Sequence, residues 1–169
     1  YTPYQPEVAQ GTLQIIFEFQ TIVSEILGLP VANASMYDAS TAAAEAALMA
    51  RRLTKRSRMV VSECLHPQFR ETVATLTSRL EGGSDSLQTV KVGQDLCSDV
   101  AALIAAIDEE TACVVVSYPT FFGTVSDLRP VAEAAHKVGA LLITVTPDPF
   151  ALAVIASPGD IGADIAVAE

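Results

Sequence analysis

The run Ala112-Cys113-Val114-Val115-Val116 constrains this chain more than any other stretch. It is apolar, rich in β-branched residues and without polar alternation, the pattern of a strand covered on both faces. Ala140-Leu141-Leu142-Ile143-Thr144-Val145 has the same character, and Met59-Val60-Val61-Ser62 is a shorter version. A last such run begins at Gly162-Ala163-Asp164-Ile165-Ala166-Val167-Ala168. Helical segments are predicted between these runs over Pro67–Leu80, Asp99–Ile107 and about Asp127–Val138, with Thr89–Val92 as a further strand. Strand and helix therefore alternate from residue 59 onward. That alternation predicts βαβ units and a mainly parallel sheet with helices on its faces.

Two helices are predicted before the first strand. Gln5 to Gly28 carries Leu13, Ile16, Phe17, Gln20, Val23 and Leu27 at helical spacing, and Gly28 with Pro30 stops it. Met36 to about Thr54 follows the polar turn Asn33-Ala34-Ser35 and is rich in alanine. Asp38, Ser40 and Thr41 are all candidate caps for it, and Glu45 suits its first turn. A helix start leaves backbone N–H groups without intrahelical partners. Two hydroxyls beside those groups are either ordinary caps or a seat for a phosphate.

Half of the 169 residues are apolar, enough for one domain with a sizeable core. The net charge of -10 opposes binding to nucleic acid or to an anionic membrane surface. Arg51, Arg52, Lys55, Arg56 and Arg58 are the one basic concentration, and are expected to be a solvated helix end. No apolar run has the length of a membrane span, and the amino end has no signal-peptide pattern. Cys64, Cys97 and Cys113 fit neither a zinc nor a disulfide spacing. They read as reduced thiols of a cytoplasmic protein, with Cys113 in the core.

In parallel α/β sheets ligands bind beyond the carboxyl ends of the strands. Three polar or aromatic segments fall there: Ser62–Gln68, Ser117–Gly123 and Thr146–Pro149. His66 at a strand-to-helix turn can stack on a planar ligand, or can simply bond backbone. Asp148 between two prolines can face a heterocyclic N–H⁺, or can build a turn. Tyr118–Gly123 either walls a cleft or forms a buried aromatic turn. His136 reads as a surface residue at a helix end. No dinucleotide, Walker or hydrolase-elbow motif occurs.

A hydroxyl-rich helix start, then a histidine, then an aspartate after a buried strand is the layout of pyridoxal-phosphate enzymes of the aspartate-aminotransferase fold. Tyr1–Gly11, Val31–Asp38, His66-Pro67-Gln68, Phe121-Phe122-Gly123 and Gly162–Ile165 together resemble the glycine-cleavage P-protein family. Asp148-Pro149 and Ser157-Pro158-Gly159-Asp160 look like subunit 1 of its two-subunit, heterotetrameric form.

The resemblance implies a partial three-layer large domain of fold type I over residues 1–169, with residues 1–30 as a leading helix segment packed on it. It implies decarboxylation of glycine with pyridoxal phosphate and transfer of the aminomethyl group to the lipoyl arm of H-protein. The partners implied are glycine, the cofactor-bearing subunit 2 and the lipoylated H-protein. By resemblance Ser40 and Thr41 hold the cofactor phosphate, His66 stacks on its ring and Asp148 meets its ring nitrogen. The chemistry needs a Schiff-base lysine. Lys55, Lys91 and Lys137 are the lysines here, and none follows the last strand, where the family's lysine belongs. No catalytic residue and no metal ligand is therefore assigned. The sequence is expected to be a fragment, inactive alone, from an enzyme or from a non-catalytic structural and dimerisation subunit.

Overall fold

The computed structural model describes residues 2–80 and 82–169. Ten regular elements follow in order: α1 (Gln10–Leu27), α2 (Ala39–Thr54), β1 (Arg58–Ser62), α3 (Pro67–Thr77), β2 (Leu87–Val90), α4 (Val100–Ala106), β3 (Thr111–Ser117), α5 (Arg129–Lys137), β4 (Leu141–Thr146) and β5 (Ile165–Ala168). The five strands form one sheet in the order β2-β1-β3-β4-β5, and every neighbouring pair is parallel. β3 is buried along its whole length, as its unbroken apolar run requires.

Alternate residues of the strands feed two cores. Met59, Val61, Cys113, Val115, Ile143 and Val145 pack against α2 and α3. Val60, Val114, Val116 and Leu142 pack against α4 and α5. The result is three layers, helix on sheet on helix. Alanines make the α2 contact close: Ala43, Ala44, Ala47 and Ala50 have no exposed surface. They also favour the helix intrinsically, because they lose no side-chain entropy.

The sequence boundaries shift in places. α1 begins at Gln10 rather than Gln5, because 5–9 closes as tight turns, with Val8 N–H donating to the Gln5 carbonyl and Ala9 N–H to that of Pro6. β2 lies two residues upstream of the predicted 89–92. Past Val90 the chain turns away, and the Glu63 carboxylate binds Lys91 Nζ at 3.0 Å and Val92 N–H at 3.1 Å.

The base of the sheet corrects the reading of the basic cluster as a solvated helix end for Arg51, Arg56 and Arg58, while Arg52 and Lys55 are exposed there. Arg51 Nη1 donates to the Ser57 carbonyl and Ser86 Oγ, ahead of β1 and β2. Arg56 Nη1 donates to the carbonyls of Thr111 at 3.0 Å and Val138 at 2.7 Å, at the starts of β3 and β4. Arg58 binds Asp108 and Gln88. Asp164 continues the series, accepting from Leu142 N–H at 2.8 Å and lying 2.9 Å from His136 Nε2. Loop carbonyls distant in sequence meet here, and guanidinium groups satisfy them by charge-assisted bonds. Replacing Arg56 with alanine is expected to cost about 1–3 kcal/mol in urea unfolding, with an unchanged m-value.

α1 stands apart. Gly28 ends it, as predicted from Gly28 and Pro30, and does so in the left-handed conformation, φ 67°. Its carboxyl end is seated on the turn 157–159, where the Gly28 and Gly159 backbones are face to face. Leu27 is its buried residue, while Ile15, Phe17, Phe19, Ile22 and Ile26 face solvent.

Candidate functional site

The strand order reverses between β1 and β3, since the chain leaves β1 toward β2 and returns to add β3 on the other side. Ligand crevices in open α/β sheets form outside the strand ends at such a switch point. A cleft of about 280 Å³ lies there, lined by His66, Ser117, Phe121, Asp148 and the turns beside them. It is at the small end of ligand pockets, which run to about 300–1,000 Å³.

His66 follows β1 and caps α3. Its Nδ1 accepts from Gln68 N–H at 3.2 Å, so the neutral ring carries its proton on Nε2. The Phe121 ring meets the imidazole edge-on at 4.8 Å, and Phe69 lies 5.1 Å away on a tilted plane. The two readings of His66 are therefore compatible: one nitrogen serves the turn while the ring walls the cleft. Phe121 N–H donates to the Cys64 carbonyl at 2.9 Å, which ties the loop after β3 to the loop after β1. Thr146 Oγ1 likewise donates to the Tyr118 carbonyl at 2.8 Å and joins the β3 and β4 ends. Asp148 is exposed and accepts from Phe150 N–H at 3.0 Å, capping a short 3-10 turn.

Ser40 and Thr41 are not in the cleft lining. They sit on the first turn of α2, whose cap is Asp38. Asp38 Oδ1 accepts from Thr41 N–H at 2.7 Å, Ser40 Oγ at 2.7 Å and Thr41 Oγ1 at 3.0 Å. Glu169 Oε2 accepts from Ala39 N–H at 3.3 Å. The Thr41 N–H and then the Ser40 hydroxyl hold the Asp38 carboxyl below the ordinary carboxylate range. This closed arrangement is legible only in part from sequence: an Asp three residues before a Thr is a capping pattern. The part played by Glu169 spans 130 positions and leaves no local signal.

None of the three lysines lines the cleft. Lys55 ends α2 and Lys137 ends α5, both at the base of the sheet, and Lys91 follows β2 and pairs with Glu63. Among the described residues no cluster of His, Cys, Asp or Glu could hold a metal ion, and no helix is long and apolar enough to cross a membrane. Burial pushes the Cys113 thiol up to about 12, so it stays protonated in the core.

The family model for the glycine cleavage system P-protein matches residues 1–169. The chain belongs to that family. It is 66% identical over its full length to a probable glycine dehydrogenase (decarboxylating) subunit 1 from Sorangium cellulosum, of which it covers 37%. A crystal structure of glycine decarboxylase (P-protein) of the glycine cleavage system, in inhibitor-bound form, superimposes with a TM-score of 0.90 at 44% identity, over all of this chain and 37% of that one. The Oryza sativa TDC solved with PLP and tryptamine shares the fold alone, at TM-score 0.64 and 15% identity over 84% of this chain and 34% of that one. This P-protein chain thus has the mainly parallel α/β architecture of the fold type I large domain, present in part.

Of the residues that resemblance assigns to the cofactor, His66 and Asp148 line this cleft, while the hydroxyls of Ser40 and Thr41 donate to Asp38.

Proposed function

We propose that this chain is part of a P-protein subunit that acts within a larger assembly in the cytoplasm. That assembly is an oxidoreductase that decarboxylates glycine with pyridoxal phosphate and passes the aminomethyl group to the lipoyl arm of H-protein. The observation that carries this reading is the family match over residues 1–169, supported by the subunit 1 relative at 66% identity. When bound, the cofactor supplies an electron sink for the carbanion left by decarboxylation. In this reading the cofactor is held by the partner subunit 2, and the present chain shapes and supports the assembly.

The exposed face of α1 supports the structural role. Ile15, Phe19, Ile22 and Ile26 follow at intervals of four, three and four residues, a seam suited to packing against another helix. All four are 46% exposed or more. Large solvent-facing apolar stripes mark interaction surfaces.

The test is co-expression of the full-length polypeptide carrying this chain with subunit 2. Glycine-dependent CO₂ exchange is expected from the assembly and not from this polypeptide alone. Exchange by the polypeptide alone would refute the structural reading. Phe19→Glu with Ile22→Glu is expected to weaken co-assembly at least about tenfold, because two charges then enter an apolar contact. The melting temperature of the uncomplexed subunit is expected to stay unchanged. A fall in that melting temperature instead would assign the stripe to the subunit's own interior.

A further inference from the structure

We propose that the amino end of α2 is closed to phosphate because the chain's own carboxylates, Asp38 and Glu169, have taken the donors a phosphate group would need. The proposal rests on the P-protein reading, which is what raises the question of a cofactor seat on this helix.

A helix N-terminus attracts a phosphate through N–H groups that lack intrahelical partners. Here Ala39 N–H donates to Glu169 Oε2 and Thr41 N–H to Asp38 Oδ1. Ala42 N–H donates to the Asp38 carbonyl at 3.0 Å, the first bond of the helix ladder. The hydroxyls that would complete a phosphate cradle, Ser40 Oγ and Thr41 Oγ1, both donate to Asp38 Oδ1. Four polar hydrogens at this helix start thus converge on two carboxylates.

Charge acts in the same direction. A phosphate monoester carries close to two negative charges at neutral pH and would arrive between two carboxylates. No lysine of this chain stands at this corner to offset them: Lys55 and Lys137 lie at the opposite end of the sheet, and Lys91 is paired with Glu63. The helix dipole, which favours one anionic partner at its amino end, is already satisfied. The fold therefore keeps the shape of a phosphate seat while filling it from within. Asp38 makes the helix start independent of any ligand, and Glu169 joins it to the far end of β5.

The experiment measures pyridoxal phosphate and inorganic phosphate binding to the full-length polypeptide carrying this chain, by equilibrium dialysis and by amide chemical shifts of Ala39, Ser40 and Thr41. The natural sequence is expected to show no saturable binding and no shift at these amides. The pair Asp38→Asn and Glu169→Gln keeps oxygen acceptors for the helix N–H groups but removes both charges. It is expected to gain phosphate affinity by at least about tenfold. Glu169→Gln alone leaves the Asp38 cap intact and gives a smaller gain, so the test survives if the double variant folds poorly. Saturable binding by the natural sequence with shifts at Ser40 and Thr41 would overturn the proposal. So would folded variants with no gain in affinity. Failure to assemble with subunit 2 would strike the family role instead, and leaves these binding measurements unaffected.

Discussion

Replacing Gly159 with alanine is expected to unseat α1 while the sheet stays folded. A Cβ built at Gly159 would lie 1.9 Å from the Gly28 carbonyl oxygen and 2.5 Å from its carbon. Both are backbone atoms, so no rotamer change relieves the clash. Gly28 is itself at φ 67° because it ends the helix, and its own Cβ position faces Ser157 Oγ at 2.3 Å. The two glycines therefore have to separate, and with them go Leu27 and the Gln20 side chain, whose Nε2 donates to the Ala32 carbonyl at 2.8 Å. Overpacking of this kind costs about 1–3 kcal/mol, and a backbone clash sits at the upper end. Hydrogen exchange should accelerate across Gln10–Leu27 and stay slow in β3 and β4. Unchanged protection in α1 would show that the contact is not its seat.

Val114→Asp is expected to abolish folding. Val114 has no exposed surface and pairs with Val60 on one side and Leu142 on the other. It also belongs to the core beneath α4 and α5. A carboxylate there meets only apolar side chains, and an unpaired buried charge costs several kcal/mol, against a total stability of about 5–15 kcal/mol for a domain. Val114→Thr keeps the shape and adds one hydroxyl, so it should remain folded and lose about 1–3 kcal/mol in urea. A native melting curve for Val114→Asp would mean that the centre of the sheet is wetter than the packing around Val114 implies.

How far the sequence foretold these features depended on how local they are. The two-sided strands β3 and β4 were legible because burial on both faces leaves an unbroken apolar run. The helix stop at Gly28 and a cleft beyond the strand ends were legible from glycine's conformational freedom and from the alternation of strand and helix, whereas the strand-order reversal was not. β2 was displaced because an edge strand's ends depend on its register with β1 and on the Glu63 contacts, and neither has a local sequence pattern. His66 and Asp148 lie past the ends of β1 and β4, and the structure gathers them in one cleft. The role of the arginines was illegible for a related reason. Arg56 reaches carbonyls 55 and 82 positions away, and nothing near Arg56 in the chain announces them.

Those arginines have an evolutionary consequence. They hold the starts of the strands, whereas the cleft and the α2 cap lie at the other end of the domain. Stability and chemistry are thereby partitioned between opposite rims of one sheet. Selection can rewrite the chemical rim, even fill an anion seat with carboxylates, without loosening the rim that keeps the strands aligned.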